Sequence, residues 1–306
     1  MRLSTVVALA IGAMFAFSIP AAAVPAYDNT VNGMVTAWQP VFMDNFNQDS
    51  GRWVYPTTNP ANVATRMNGY MRLTPTTATQ TGAIWFDTDL KFAFQVEFDY
   101  LIGGGTGADG LVFMFYKNKN YTPWAGGQLG FVSNSGAPVT GYGVEMDTWY
   151  NGGWDVGYRY LSIIKDHPSN HLATISQPNM RDNLWHHIKV TVDDASITVY
   201  FDDMNTPRFT WTGTIDRAFG GFGFAAGTGG STDNHQIDNV ILSKKVVYMV
   251  DDGVVVGEVQ GDELKLKEKP AEESSTWTIL VGNTALLAIA ILVAVMVAQG
   301  VRRRRR

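Results

Sequence analysis

The chain of 306 residues has no cysteine, so neither a disulfide framework nor a thiolate metal site is available to it. It has no excess of basic charge either. Arg2 and the five arginines Arg302 to Arg306 sit at the two ends, which leaves all 28 acidic side chains against 17 basic ones between them, a formal net charge of −11. That balance argues against nucleic acid as a partner. No long amphipathic helical pattern interrupts the central region, which argues against an alternating α/β sheet. Asn120-Tyr121-Thr122 is the sole N-x-S/T sequon, and no second copy of the motifs described below is found.

Long uncharged runs are confined to the ends. Arg2, an apolar run from Val6 to Ile19 and Ala21-Ala22-Ala23 form the n-region, h-region and small-residue cleavage pattern of a secretory signal peptide, residues 1–23. Trp277 to Val301 has no charged residue over 25 positions, enough to cross a hydrocarbon core of about 30 Å. The arginine tail that follows, 302–306, marks the cytoplasmic side. The expectation is a single-pass cell-membrane protein spanning at 276–301, with its globular part outside the cytoplasm. A buried core helix is the competing reading, and little sequence remains to bury one; a processed sorting signal is the other alternative. The lack of any tail beyond arginines leans toward a prokaryotic surface.

Residues 24–244 read as one all-β domain, since β-sandwiches commonly reach that size. Phe92, Phe94, Val96, Phe98 and Tyr100 alternate with Ala93, Gln95, Glu97 and Asp99. Ile188, Val190 and Val192 repeat the pattern, and after Asp193-Asp194 so do Ile197, Val199 and Phe201. Turn residues separate these runs at short intervals, as in a sandwich. Residues 245–275 read as a hairpin, Val246–Val250 and Val254–Val256 about Asp251-Asp252-Gly253, followed by a charged stalk rich in Glu, Lys and Ser.

Glu145-Met146-Asp147-Thr148-Trp149-Tyr150-Asn151, followed by Asp155, brings four oxygen-donor side chains into eleven residues after the apolar strand Gly141-Tyr142-Gly143-Val144. Calcium takes roughly six to eight oxygens from such groups. Alternate residues of an extended segment share a side, so Asp147, the Trp149 carbonyl and Asn151 can converge on one ion while Asp155 closes the loop. A solvated acidic turn is the competing reading. Two further segments, Gly107-Ala108-Asp109-Gly110-Leu111-Val112-Phe113 and Gly221-Phe222-Gly223-Phe224 through His235, occur with the acidic loop in one order. The set, spanning about Val41 to Leu242, resembles the legume-type (L-type) lectins.

That resemblance implies a concanavalin A-like jelly-roll sandwich that binds glycans with calcium as cofactor. It assigns Asp109 as the acceptor of sugar hydroxyls, with a cis peptide before it and a sugar affinity that depends on the neighbouring cation. It assigns Asn151 to both calcium and sugar, and Trp149 to calcium through its carbonyl and to the sugar through its ring. Gly126-Gly127-Gln128-Leu129-Gly130-Phe131 resembles the family's glycine loop, with Gly127 the residue whose N–H reaches the sugar. Gly229, Gly230 and Ser231 fall in the loop that chooses among monosaccharides. Plant members add a transition-metal site from a glutamate, both aspartates and a downstream histidine. Here Glu145 is present, but Tyr160 stands where the histidine is expected and His167 could substitute only if the loop runs differently, which puts the second metal in doubt. His186, His187 and His235 are read as structural. Oligomeric state depends in this fold on the exposed back sheet, and a homo-oligomer is compatible with the sequence.

Two readings compete. Glucanases of similar fold carry Glu-x-Asp-x-x-Glu, and retaining hydrolysis needs two carboxyl groups about 5 to 5.5 Å apart. Tyr150 occupies the second glutamate position, so no catalytic residue is assigned and the protein is expected not to be an enzyme. A metal-free surface adhesion or scaffold module that binds protein is the other alternative.

Overall fold

Phe94, Val96, Phe98, Tyr100 and Ile102 are all buried and alternate with residues on the opposite face of one strand. In register beside them stand Val190 and Leu242 opposite Val96, and His186 and Ile237 opposite Tyr100. A period-2 stripe repeated on three neighbouring strands makes one sheet face continuously apolar. In this computed structural model, residues 33–266 are described apart from 57–60, 91, 120–122, 133–138, 217, 252–253 and 261–262. The expected signal peptide, membrane span, arginine tail and Asn120 sequon lie outside the described residues. No helix among the described residues is long and apolar enough to cross a membrane.

Strands are numbered in chain order. Two compact units are distinguished, Pro40–Lys244 and a second made of residues 1–39 with 245–306. In the first unit the back sheet holds β3 (Thr65–Met67), β4 (Tyr70–Thr74), β6 (Phe94–Gly103), β11 (Trp185–Asp193), β12 (Ser196–Phe201), β13 (Phe209–Thr212) and the first part of β15 (Asn234–Asp251). Its order is β13-β12-β11-β6-β15, with β4 on β15 and β3 on β4. The front sheet holds β2 (Trp53–Val54), β5 (Thr81–Asp87), β7 (Gly110–Asn118), β8 (Thr140–Asp147), β9 (Tyr160–Lys165), β10 (His167–Ser176) and β14 (Gly221–Gly227), in the order β10-β9-β8-β7-β14-β5-β2. The strand pairs in both sheets are antiparallel. The architecture is therefore an all-β sandwich.

Between the sheets the core is largely aromatic. Phe98 meets Phe224 at 4.9 Å and Phe113 at 5.5 Å between ring centroids, and Phe94 meets Phe115 at 5.4 Å. The front sheet is also covered on its far face, where Trp85, Val112, Met114, Tyr116 and Ala225 form a second buried cluster with Leu129, Phe131 and Val139. Burial on both faces explains why β5, β8 and β14 are buried at nearly every position. Gly223 is part of that packing, since a Cβ there would lie 2.3 Å from a ring carbon of Trp85.

His186 is buried, its Nδ1 2.9 Å from Asp202 and its Nε2 3.0 Å from Asp182. His187, on the other face of β11, lies between Asp99 and Glu97. In the second unit, β1 (Gly33–Asp44) contributes residues 33–39, and the end of β15 pairs with β16 (Val254–Gln260), Asp251 opposite Val254. β16 pairs in turn with β17 (Glu263–Leu266), so residues read from composition as the start of a stalk are in strands as far as Leu266.

Candidate functional site

On β8, Val144 and Met146 point into the sandwich, which leaves Glu145 and Asp147 on the outer face of the front sheet. Register fixes their neighbours: Glu145 lies between Val112 and Ser162, and Asp147 between Gly110 and Tyr160. Asp147 Oδ1 accepts from the Trp149 N–H at 2.9 Å, and the Asp155 carboxylate accepts from the Asn151 N–H. The acidic loop is thus folded back on its own carboxylates.

The Asp109 backbone is held from two sides. Its carbonyl accepts both the N–H and the hydroxyl of Thr148 at 2.9 Å, and its own N–H donates to the Gly227 carbonyl at 3.1 Å. The peptide between Ala108 and Asp109 is cis, as the family resemblance implies, and Phe92–Ala93 is a second one that the sequence reading does not include. The Asp109 side chain is 3% exposed, and its Oδ2 has no hydrogen-bond partner. Burial pushes this carboxyl up to about 6, against the opposing pull of the Asn151 amide and the Gly229 N–H. A Cβ at Gly229 would stand 3.1 Å from Oδ2, so a glycine lets that loop pack closely against the carboxylate.

Gly127 lies in a short 3-10 turn, Gly126–Gln128, packed against the Asn151 amide. A Cβ at position 127 would fall 2.4 Å from Asn151 Oδ1 and 2.7 Å from its Nδ2. Trp149 lies by the Asp109 loop, 3.8 Å from where a Cβ of Gly107 would be. The structure therefore brings Asp109, Gly127, Trp149, Asn151 and Gly229 together. Gly230 follows in open space, and Ser231 is half-buried.

An unanticipated pair braces these loops from beneath. Arg181 donates from Nε to Asp233 Oδ2 at 2.5 Å and from Nη2 to Oδ1 at 2.8 Å, and its Nη2 also reaches the Gly105 carbonyl at 2.9 Å. Asp233, fully buried, accepts in addition from the Gly105 N–H at 2.9 Å. Thr232 and Gly107 add backbone links between the same two loops. His235 is buried with Nδ1 2.6 Å from Thr74 Oγ1; burial, helped by the Arg181 charge, lowers it to about 3, so it is neutral and structural.

The electrostatics of the acidic group are unfavourable without a counter-charge. Burial pushes Glu145 up to about 7, with His171 pulling the other way. Asp147 is raised well above the carboxylate range by burial, then by Glu145 and Asp155. Asp155 is raised by burial. The Tyr160 phenol is raised by burial and by Glu145, Asp147 and Asp155. Glu145 Oε2 and the Tyr160 hydroxyl are buried without a hydrogen-bond partner, and Glu145 Oε1 faces only His171 Nδ1, 3.0 Å away. Among the described residues no three His, Cys, Asp or Glu side chains converge tightly enough to hold a metal by themselves. A hard cation shared with the Asn151 amide and the Trp149 carbonyl is chemically matched to such orphaned oxygens.

His167 does not reach Glu145: its Nδ1 is 2.8 Å from Ser169 Oγ and its ring packs edge-on to Trp154. His171 takes that place, with Nδ1 3.0 Å from Glu145 Oε1 and from Ser162 Oγ, and Nε2 3.0 Å from the Trp154 carbonyl. The cause is an irregular pairing of β10, where register shifts on both sides of His171 set it opposite Ile164. Tyr160 does stand at the site, opposite Asp147, but as a phenol.

A two-sheet sandwich with an acidic loop and a buried, half-free aspartate at one end defines a lectin-like class. A sequence profile of the legume-like lectin family matches residues 46–251, and the chain belongs to that family. No curated protein sequence matches it significantly. Among solved structures it is similar to the VIP36 exoplasmic/lumenal domain in its Ca2+/Man3GlcNAc-bound form, with 21% identity, TM-score 0.51, and 63% of this chain and 86% of that one covered. The lectin from Bauhinia forficata in complex with GalNAc gives 18% identity and TM-score 0.56, over 72% of this chain and 100% of that one. Peanut lectin with a 9mer peptide gives 18% and 0.55, over 70% and 98%. At these identities the likeness is one of fold.

Proposed function

We propose that the chain is a calcium-dependent glycan-binding protein. Asp109 accepts sugar hydroxyls, the Asn151 amide and the Gly127 N–H donate, the Trp149 ring packs on the sugar, and Gly229, Gly230 and Ser231 select among monosaccharides. Asp147, the Trp149 carbonyl, Asn151 and Asp155 hold Ca2+, with Glu145 behind them. The observation that carries the reading is the Asp109 carboxylate, almost fully buried beside Gly229, with the Asn151 amide and the Gly229 N–H acting on it and Oδ2 left without a partner. Leaving such an oxygen unpaired costs about 1 to 3 kcal/mol, which a bound hydroxyl offsets. Residues 1–23 and 276–301 act as export signal and membrane anchor, with the binding domain outside the cytoplasm.

A glycan array probed with Ca2+ and again with EDTA tests this. Binding to a defined sugar set, lost with EDTA, is expected; metal-independent capture of protein alone would favour the scaffold reading. Gly127→Ala is expected to weaken glycan binding at least tenfold, because its Cβ displaces the Asn151 amide. Calorimetric titration showing parental affinity would remove Gly127 and Asn151 from the site.

Proton linkage gives a separate test. Without a cation, Asp109 and Glu145 titrate at about 6 and about 7, above their ordinary 3.8 and 4.5. Between these limits the folded state binds more protons than the unfolded one, so these groups make the metal-free domain less stable as pH rises. Calcium needs its carboxylates ionised, Glu145 among them, so its affinity rises across the window in which Glu145 loses its proton. Thermal melts from pH 5 to pH 8 should therefore show a calcium-induced increase in Tm that grows with pH. An increase largest at pH 5 would contradict the assignment.

A further inference from the structure

Three Asn-Gly pairs occur in the sequence, Asn32-Gly33, Asn68-Gly69 and Asn151-Gly152. Asparagine is a chemically labile residue, and most so before glycine, where no side chain shields the following backbone nitrogen from the amide carbon. Of the three pairs, Asn151-Gly152 is the one in the site described above. The structure leaves its reacting groups open. Asn151 is exposed, and Gly152 has a φ of +77° with nothing within 4 Å of where a Cβ would stand. The Gly152 carbonyl accepts from the Asp155 N–H at 3.1 Å, whereas the Gly152 N–H donates to no group among the described residues. What restrains a reaction between them is the placement of the Asn151 side chain, whose amide is hydrogen-bonded to Asp109 and packed on Gly127. In the calcium site its oxygen is held by the ion as well.

We propose that Asn151-Gly152 is a spontaneous deamidation site at which the metal-free protein irreversibly loses its sugar-binding capacity, and that bound calcium protects it. The Gly152 nitrogen, on losing its proton, forms a bond to Asn151 Cγ; the Cγ–Nδ2 bond breaks and that nitrogen leaves as ammonia. Water then opens the resulting cyclic imide at either carbonyl, giving aspartate or, with the chain rerouted through Cγ, isoaspartate. In balance, water is consumed and ammonia released, with no change of oxidation state. Either product lacks the NH2 group that donates to Asp109 and to the sugar. Each also adds a carboxylate to a group in which Glu145 and Asp155 already disfavour ionisation of Asp147. Ring closure requires Asn151 to swing away from Asp109 and Gly127, a local opening of the loop. Calcium held by Asn151 multiplies the closed population by 1 + [L]/Kd, so the reaction slows by about tenfold at tenfold Kd. The protection rests on the calcium-dependent glycan-binding reading.

The experiment incubates the full-length protein, in detergent at mildly alkaline pH, with Ca2+ or with EDTA; samples are digested for peptide mass spectrometry and, after calcium is restored, titrated with the sugar that binds best on an array. The Asn151 peptide is expected to convert to its acid forms, isoaspartate among them, roughly tenfold faster in EDTA than in calcium. Binding capacity should fall in step with that conversion. Asn68-Gly69, in the turn between β3 and β4, is the internal control, and its rate should be the same in both incubations. Asn151→Asp, which carries the product from the start, should bind glycan roughly tenfold more weakly or worse, while a carboxylate oxygen in place of the amide oxygen keeps the calcium-induced rise in Tm. An Asn151 that stays an amide in EDTA, or parental glycan affinity in Asn151→Asp, would overturn the proposal. Equal Asn151 rates with and without calcium, in a protein whose Tm calcium raises, would overturn the protection. A Tm indifferent to calcium would instead refute the calcium reading, and the protection with it.

Discussion

Asp147→Ala is expected to abolish both calcium-dependent stabilisation and glycan binding while leaving the metal-free fold intact. Asp147 is 1% exposed at the end of β8 and is crowded by Glu145 and Asp155, which with burial raise its carboxyl well above the ordinary range. In EDTA its removal relieves that repulsion and gives up the hydrogen bond from Trp149, so the metal-free melting temperature should change little. In calcium the loss is large, because a ligand held only by the folded state contributes RT ln(1 + [L]/Kd), about 2.7 kcal/mol at a hundredfold excess over Kd. Melts of parent and variant with calcium and with EDTA, together with calorimetric sugar titration, check this. A variant that keeps the calcium increment would place the ion elsewhere.

What could be read from the sequence was what is local. Glu145 and Asp147 end β8 and Asn151 and Asp155 follow in the adjoining loop, all within eleven residues, so the extended segment fixes which of the first pair's neighbours share a side. The stripes of β6, β11 and β12 were equally legible, because each strand has one face in the core and a half-exposed face outside. The front sheet was harder. β5 and β14 are buried on both faces, so alternation disappears, and only the segment with Leu129, Phe131 and Val139 folded over the far side explains their composition. His171 was invisible for a different reason. Regular pairing would have carried another residue to Glu145, and the irregularity in β10 that places His171 there leaves no mark in residue spacing.

Arg181 and Asp233, separated by 52 positions, are the least legible part of the site and its strongest structural test. Asp233 is fully buried, with Arg181 and the Gly105 N–H on its carboxylate, and the same guanidinium holds the Gly105 carbonyl. Breaking a buried pair by removing one partner strands the other charge, at about 3 to 5 kcal/mol. Arg181→Met should therefore lower Tm by roughly 10 °C for a domain of this size. Arg181→Met combined with Asp233→Leu should recover part of that loss, since no carboxylate is then left uncompensated. The functional consequence separates bracing from simple stability. The loop from Gly103 to Asp109 carries the sugar acceptor, whereas Asp147, Asn151 and Asp155 lie on the other loop. Measured well below its melting temperature, Arg181→Met should lose glycan affinity at least tenfold while keeping its calcium-induced rise in Tm, and the double variant should regain stability without regaining affinity. Loss of calcium and sugar response together would show that the pair supports the whole front-sheet rim rather than the Asp109 loop, and parental affinity in Arg181→Met would show that Asp109 is held by Thr148 and Gly227 alone.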